Sequence, residues 1–130
     1  MVRKKKSSQE VTALTEPIVA EEATLVNDLR TNLDEIKTWN GVVGYILRNS
    51  TSATIDLKDP TKIIDYAILS SSALDASEEL SKLFNLGNIK DIIVEGKDIK
   101  MLSLTIEENR ISVFLEKDVD QEKILRKLLV

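Results

Sequence analysis

PTKIIDYAILSSSALDASEELSKLF, residues 60–84, is the stretch around which the rest of the chain is organised. Asp59 stands ahead of it as an N-cap with Pro60 at the first helical position, and Asn85 and Gly87 supply the stop. At about 100° per residue, Tyr66, Leu69, Ala73, Ala76, Leu80, Leu83 and Phe84 fall on one stripe wide enough to lie on a core. Ile63, Ala67 and Leu74 extend that stripe along one flank. Ile64, Ile68 and Ser71 lie on roughly the opposite side, and only in the N-terminal half, whereas Asp75, Glu78, Glu79 and Lys82 give the C-terminal half a polar outer face. The first turns therefore call for burial on two sides. A second copy of the molecule is the simplest supplier of the second surface.

Ahead of this helix, Leu25, Val26, Leu29, Leu33 and Ile36 repeat at three and four residues, which predicts an amphipathic helix from near Glu21 to Lys37. Trp39-Asn40-Gly41 breaks the pattern, and VVGYILRN reads as a strand buried on both faces. After a turn at Asn49–Ser52, the alternation of Ala53, Ile55 and Leu57 with Thr54, Asp56 and Lys58 reads as an edge or half-exposed strand. Beyond residue 84, Ile89–Glu95, Ile99–Ile106 and Ile111–Glu116 form three more strands joined by tight turns at Gly96-Lys97-Asp98 and Glu107-Glu108-Asn109. Asp118 or Asp120 then caps a last helix bearing Ile124, Leu125, Leu128 and Leu129. The order is α-β-β-α-β-β-β-α. Short turns imply antiparallel pairing, so the fold class is α+β: one five-stranded antiparallel sheet with helices on both faces.

A chain of 130 residues is one domain by length, and its 42% hydrophobic and 31% charged residues are those of a folded protein. It has no cysteine and no histidine, which excludes thiolate zinc sites, cysteine nucleophiles and the usual neutral-pH base. Of the net charge of −4, residues 1–10 contribute +3 through Arg3, Lys4, Lys5, Lys6 and Glu10, leaving about −7 on the body. An acidic body is a poor nucleic-acid binder. Residues 1–20 read as a flexible basic tail and residues 21–130 as the domain. The basic run has no apolar segment after it, so it is not read as a signal peptide, and nothing later predicts a membrane span. Its plain reading is a solvated terminus, and its alternative is an electrostatic tether to an anionic surface.

The search for chemistry returns little. No phosphate-cradling glycine loop is present, and Gly41, Gly44, Gly87 and Gly96 lie in turns or a strand. Asp56 and Asp59 could be drawn as a carboxylate pair, but solvated charge and a helix cap account for them. Glu107-Glu108 reads as a polar turn, Ser70-Ser71-Ser72 lacks a base to activate it, and Trp39 reads as a plug at a helix-to-strand corner. No catalytic residue, cofactor or metal is expected.

The order of elements together with IIVEGKDIKMLSLTIEENRISVFLEKD, residues 92–118, resembles the roadblock/LC7 family. Glu95-Gly96 matches the family's turn, Asn109-Arg110 its strand start, and Trp39-Asn40-Gly41-Val42-Val43-Gly44 its approach to the first strand. The likeness covers roughly Glu21 to Val130. It departs at Asn49-Ser50-Thr51-Ser52, where many members have an acidic-glycine turn.

The resemblance implies a non-enzymatic, cytoplasmic dimerisation module that scaffolds or regulates small Ras-like GTPases. In that family the long second helices pack side by side and the third strands pair. On this chain the expected dimer interface is Ile64, Ala67, Ile68, Ser71, Leu74, Ile89, Asp91 and Ile93, formed with itself as a homodimer or with a second roadblock-type subunit. Asp75, Glu78, Glu79 and Lys82 are the expected partner-binding residues. The alternative is a small-molecule sensor domain of related profilin-like or longin-like fold. A third class, nucleic-acid association through the basic tail, is not expected.

Overall fold

Three- and four-residue spacing of Leu25, Val26, Leu29, Leu33 and Ile36 gives a helix one apolar face, and that face needs a sheet to lie on. In a computed structural model of the chain, which describes residues 9–14 and 20–129 and side chains from Thr24 to Leu129, this helix is α1, Ala20–Lys37. The other elements are β1 (Gln9–Leu14), β2 (Val42–Arg48), β3 (Ser52–Leu57), α2 (Ile63–Phe84), β4 (Asp91–Glu95), β5 (Ile99–Ile106), β6 (Asn109–Glu116) and α3 (Gln121–Leu129). A 3-10 turn, Pro60–Lys62, leads into α2, and the Asp59 carboxylate caps it by accepting from the Thr61 amide at 3.0 Å. At the far end Asn85 adopts the left-handed conformation and closes the helix onto the Ser81 carbonyl.

The expected antiparallel five-stranded sheet with α-β-β-α-β-β-β-α order is present, as β3-β2-β6-β5-β4. One strand more is added at its edge. Gln9–Leu14 pairs antiparallel with β3 from Gln9↔Leu57 to Leu14↔Ser52, making six strands in all. This corrects the flexible-tail reading for those residues; the rest of the tail, 1–8 and 15–19, lies outside the described residues. The reason is non-local: β3 would otherwise offer a row of unpaired amides and carbonyls, and an extended segment nearby satisfies them.

The core has two layers, one on each face of the sheet. Leu29, Leu33 and Ile36 of α1 and Ile124 and Leu128 of α3 bury against Tyr45, Leu47, Leu102, Leu104, Ile111, Val113 and Leu115. On the other face Ile46, Leu57, Met101 and Phe114 are covered by Ile63, Tyr66, Ala67 and Ala73 of α2. The Tyr66 ring stacks on Phe114 with centroids 4.5 Å apart. Gly44 sits at the irregularity in the β2–β6 pairing, with φ +154, and a Cβ there would lie 2.4 Å from the Asp56 carbonyl oxygen. No side chain fits that approach.

The turn at Asn49, where the chain departs from the family pattern, is held by one side chain. Asn49 Oδ1 accepts from the Thr51 and Ser52 amides, each at 2.9 Å, and from both their hydroxyls. Its Nδ2 donates to Asn109 Oδ1 at 2.9 Å, tying this turn to the start of β6. An asparagine that mimics a backbone turn does the work an acidic-glycine pair would do.

Candidate functional site

Helix α2 is the element whose two sides set the site. The stripe that meets the sheet is not the one of highest hydrophobicity. Ile63, Tyr66, Ala67, Ser70, Ala73 and Leu74 face inward, and only Ser70 and Leu74 are fully buried. Leu69, Leu80, Leu83 and Phe84, expected in the core stripe, are exposed, Leu83 by 72%. The physical reason is a buried hydroxyl chain. Ser70 meets Ser112 of β6 at 2.6 Å, and Ser112 meets Ser103 of β5 at 2.6 Å. Serines turned inward have partners there, and a helix that buries them turns its leucines out.

The two outer flanks of α2 overlook different parts of the sheet. Ile64, Ile68, Ser71 and Asp75 follow one another at helical spacing, and the last two mark where that stripe looks. Arg48 of β2 donates to the Ser71 hydroxyl at 3.1 Å, and Arg110 of β6 donates to Asp75 at 3.1 Å, with Glu78 at 3.8 Å. That stripe therefore faces back across β6 and β2. The opposite flank, Leu69, Ala76, Leu80 and Leu83, overhangs β5 and β4, over which α2 lies.

β4 is the far edge of the sheet, paired on one side only, with β5. Of the residues expected at a dimer contact, Asp91 is exposed and Ile93 half-buried on this strand, and Ile89 lies just ahead of it. Ala67 and Leu74 are turned to the sheet instead. Ile64 and Ile68 are 72% and 61% exposed, but with Ser71 they occupy the flank away from β4. The sequence assigned the leucines of the β4-side flank to the core, and the structure leaves them exposed.

Of the expected partner-binding residues, Asp75 and Glu78 are engaged by Arg110, while Glu79 and Lys82 are exposed on the outer surface. A cleft of about 600 Å³ lies between the C-terminal half of α2 and β4, lined by Ser77, Ser81, Lys82, Asn88, Asp91 and Thr105 among others. It opens to solvent, and Leu74, Ile89, Ile92 and Leu104 line it beside the polar groups.

Asp56 and Asp59 do different jobs. Asp56 is buried and ion-paired with Lys37 of α1, while Asp59 is exposed as the cap, its carboxyl held below the usual range by the Thr61 hydroxyl and amide. Beside Asp56, Tyr45 donates to Asp34 at 2.5 Å, and burial, then that bond, push its phenol far above the ordinary value. Trp39 packs half-buried against the α1-side core, as a corner plug does. Among the described residues, no group of three or more acidic side chains converges as a metal site, and no helix is long and apolar enough to cross a membrane.

No protein-family model matches the sequence, and no curated protein matches it either. By shape, the chain is similar to the crystal structure of a Roadblock/LC7 domain from Streptomyces avermitilis, with a TM-score of 0.62 over 78% of this chain and 86% of that one. The fold is that of a roadblock/LC7 domain. Sequence identity to that structure is 11%, so the likeness is one of architecture.

Proposed function

We propose that this chain is a non-enzymatic dimerisation module that scaffolds or regulates a small Ras-like GTPase in the cytoplasm. The observation that carries the reading is the open edge of β4 beside the bare apolar flank of α2, where Leu80 and Leu83 are 49% and 72% exposed. Two copies, or one copy and a second roadblock-type subunit, meet through β4, with Ile89, Asp91 and Ile93 along the edge. Leu69, Ala76, Leu80 and Leu83 then pack against the partner's α2. Edge pairing satisfies a row of backbone groups at once, and flank packing removes apolar surface from water.

In this reading the GTPase is met by the polar outer surface, and Glu79 and Lys82 are the residues that bear on it. Glu78 and Asp75 serve mainly to hold Arg110. The effect on the GTPase comes from binding, so the purified protein neither hydrolyses GTP or ATP nor binds them in calorimetry.

Light scattering tests the assembly. The wild type should run at twice the 14.6 kDa of one chain at micromolar concentration. Leu80→Glu should run as a monomer, because a carboxylate buried without a partner is strongly disfavoured. Glu79→Lys should keep the dimer mass and weaken saturable binding to a Ras-like GTPase. A wild-type monomer removes the proposed assembly, and nucleotide turnover removes the proposed class.

A further inference from the structure

Strand β4 reads Asp91-Ile92-Ile93-Val94-Glu95, apolar in the middle with a carboxylate at each end. Ile93 packs on the α1-side core and Val94 on the α2-side core. Side chains alternate along a strand, so Asp91, Ile93 and Glu95 share one face and Ile92 and Val94 the other. Asp91 and Glu95 are exposed, and neither has an ion pair among the described residues. Within the sheet Asp91 stands opposite Leu104, and Glu95 stands opposite Lys100, whose ammonium donates to Gln121 at 2.7 Å instead.

These charges bear on the β4 assembly proposed above, and the inference rests on that reading. A two-fold axis that pairs β4 with β4 and keeps both α2 helices on one side opposes residues of the same face, because a one-residue slip turns the strand over. The register that uses all five residues sets Ile93 against Ile93 of the other copy, Ile92 against Val94, and Asp91 against Glu95. The apolar middle attracts. Each end, however, brings two carboxylates together with Cβ atoms about 5 Å apart, and like charges directly opposite are destabilising. Lys90 would face Gly96 and Lys97 would face Ile89, so neither lysine neutralises an end. Sliding the copies by two residues parts the carboxylates but leaves only three of the five residues paired.

We propose that β4 is suited to an unlike partner, a second chain of this fold whose edge strand sets a lysine or arginine against Asp91 and another against Glu95. Such a strand keeps the apolar contact in the middle and turns two repulsions into two attractions. The homodimer forms through the same edge and is the weaker assembly. The two carboxylates thus select the partner: they penalise self-pairing and favour a basic edge over an acidic one.

One substitution in the full chain, Asp91→Lys, tests this. The wild-type dimer has two repulsive pairs, a mixed dimer of wild type and variant has one repulsive and one attractive pair, and the variant dimer has two attractive pairs. Dissociation constants from sedimentation, with one species labelled for the mixture, should fall in two similar steps along that series. The whole fall should be about tenfold or more at low salt. High salt should narrow it, because exposed charges are screened. Asp91→Asn removes the repulsion without adding an attraction, so its dimer should fall midway, and it keeps the test alive if the lysine harms the fold. Equal constants for all these dimers, with Leu80→Glu still giving a monomer, would overturn the proposal and leave the β4 assembly standing; the carboxylates would then only keep the edge soluble. Monomers in every variant, or dimers that Leu80→Glu does not disturb, would overturn both.

Discussion

Removing the Ser112 hydroxyl should cost more than removing all three hydroxyls of the chain it centres. Ser103 and Ser112 are fully buried, Ser70 is 4% exposed, and both contacts are 2.6 Å. Ser112→Ala breaks two hydrogen bonds and strands two buried hydroxyls, and a stranded buried group costs about 1–3 kcal/mol. Ser70, on a helix, can turn to the carbonyl four residues back and lose about 1 kcal/mol. Ser103, inside a strand whose carbonyls are engaged in the ladder, should lose about 2 kcal/mol. The sum, about 3 kcal/mol, corresponds to a melting temperature lower by roughly 10 °C in a domain of this size. Replacing all three serines by alanine leaves no orphaned group and should cost only about 1 kcal/mol. Urea unfolding at fixed protein concentration reads both numbers, provided the slope with denaturant is unchanged. If the triple variant loses as much as the three single variants added together, the hydroxyls do not act as one network. The account of why α2 turns its leucines outward then fails with it.

Gly44→Ala should cost about 3 kcal/mol or more, because its methyl would meet backbone at 2.4 Å from the Asp56 oxygen and 2.7 Å from Leu57 Cα. Gly87→Ala, at φ +76 with nothing within 4 Å, should cost only about 1–2 kcal/mol; equal losses in thermal melts would refute the steric argument. The raised phenol of Tyr45 favours the protonated form in the folded state, so its contribution is complete below the ordinary value of 10.0 and falls as pH rises above it. Tyr45→Phe should lose about 1 kcal/mol at neutral pH with the Asp34 bond, yet decline less steeply in urea midpoints above pH 10; parallel curves would refute it. Deleting residues 1–14 removes the β1–β3 ladder and should lower the melting temperature, whereas deleting residues 1–8 leaves the ladder whole. Identical melts for the two truncations would mean that β1 adds nothing to stability.

How far the fold was legible depends on where each signal resides. The five strands and three helices were readable because period-two and period-3.6 patterns, an Asn-Gly turn and the Asp59-Pro60 start are all local. The facing of α2 was not, because hydrophobicity ranks Leu80 and Leu83 above Ser70. What decides the facing is Ser103 and Ser112, more than 30 residues away in sequence. A reader watching for serines at helical spacing opposite serines on predicted strands could have found it. β1 was missed for a similar reason. Gln-Glu-Val-Thr-Ala-Leu alternates weakly, and its place is fixed by the edge it covers. The ion pair of Lys37 with Asp56 likewise joins an ordinary-looking helix end to a strand carboxylate that a sequence reader would leave in solvent.

The strand that covers β3 moves an edge rather than removing one. Among the described residues the sheet still ends in two strands that are each paired on one side only, β1 and β4. A link with two hooks keeps both when one of them is lengthened, so β1 changes only which residues a neighbouring strand would meet on that side, Gln9–Leu14 in place of Ser52–Leu57.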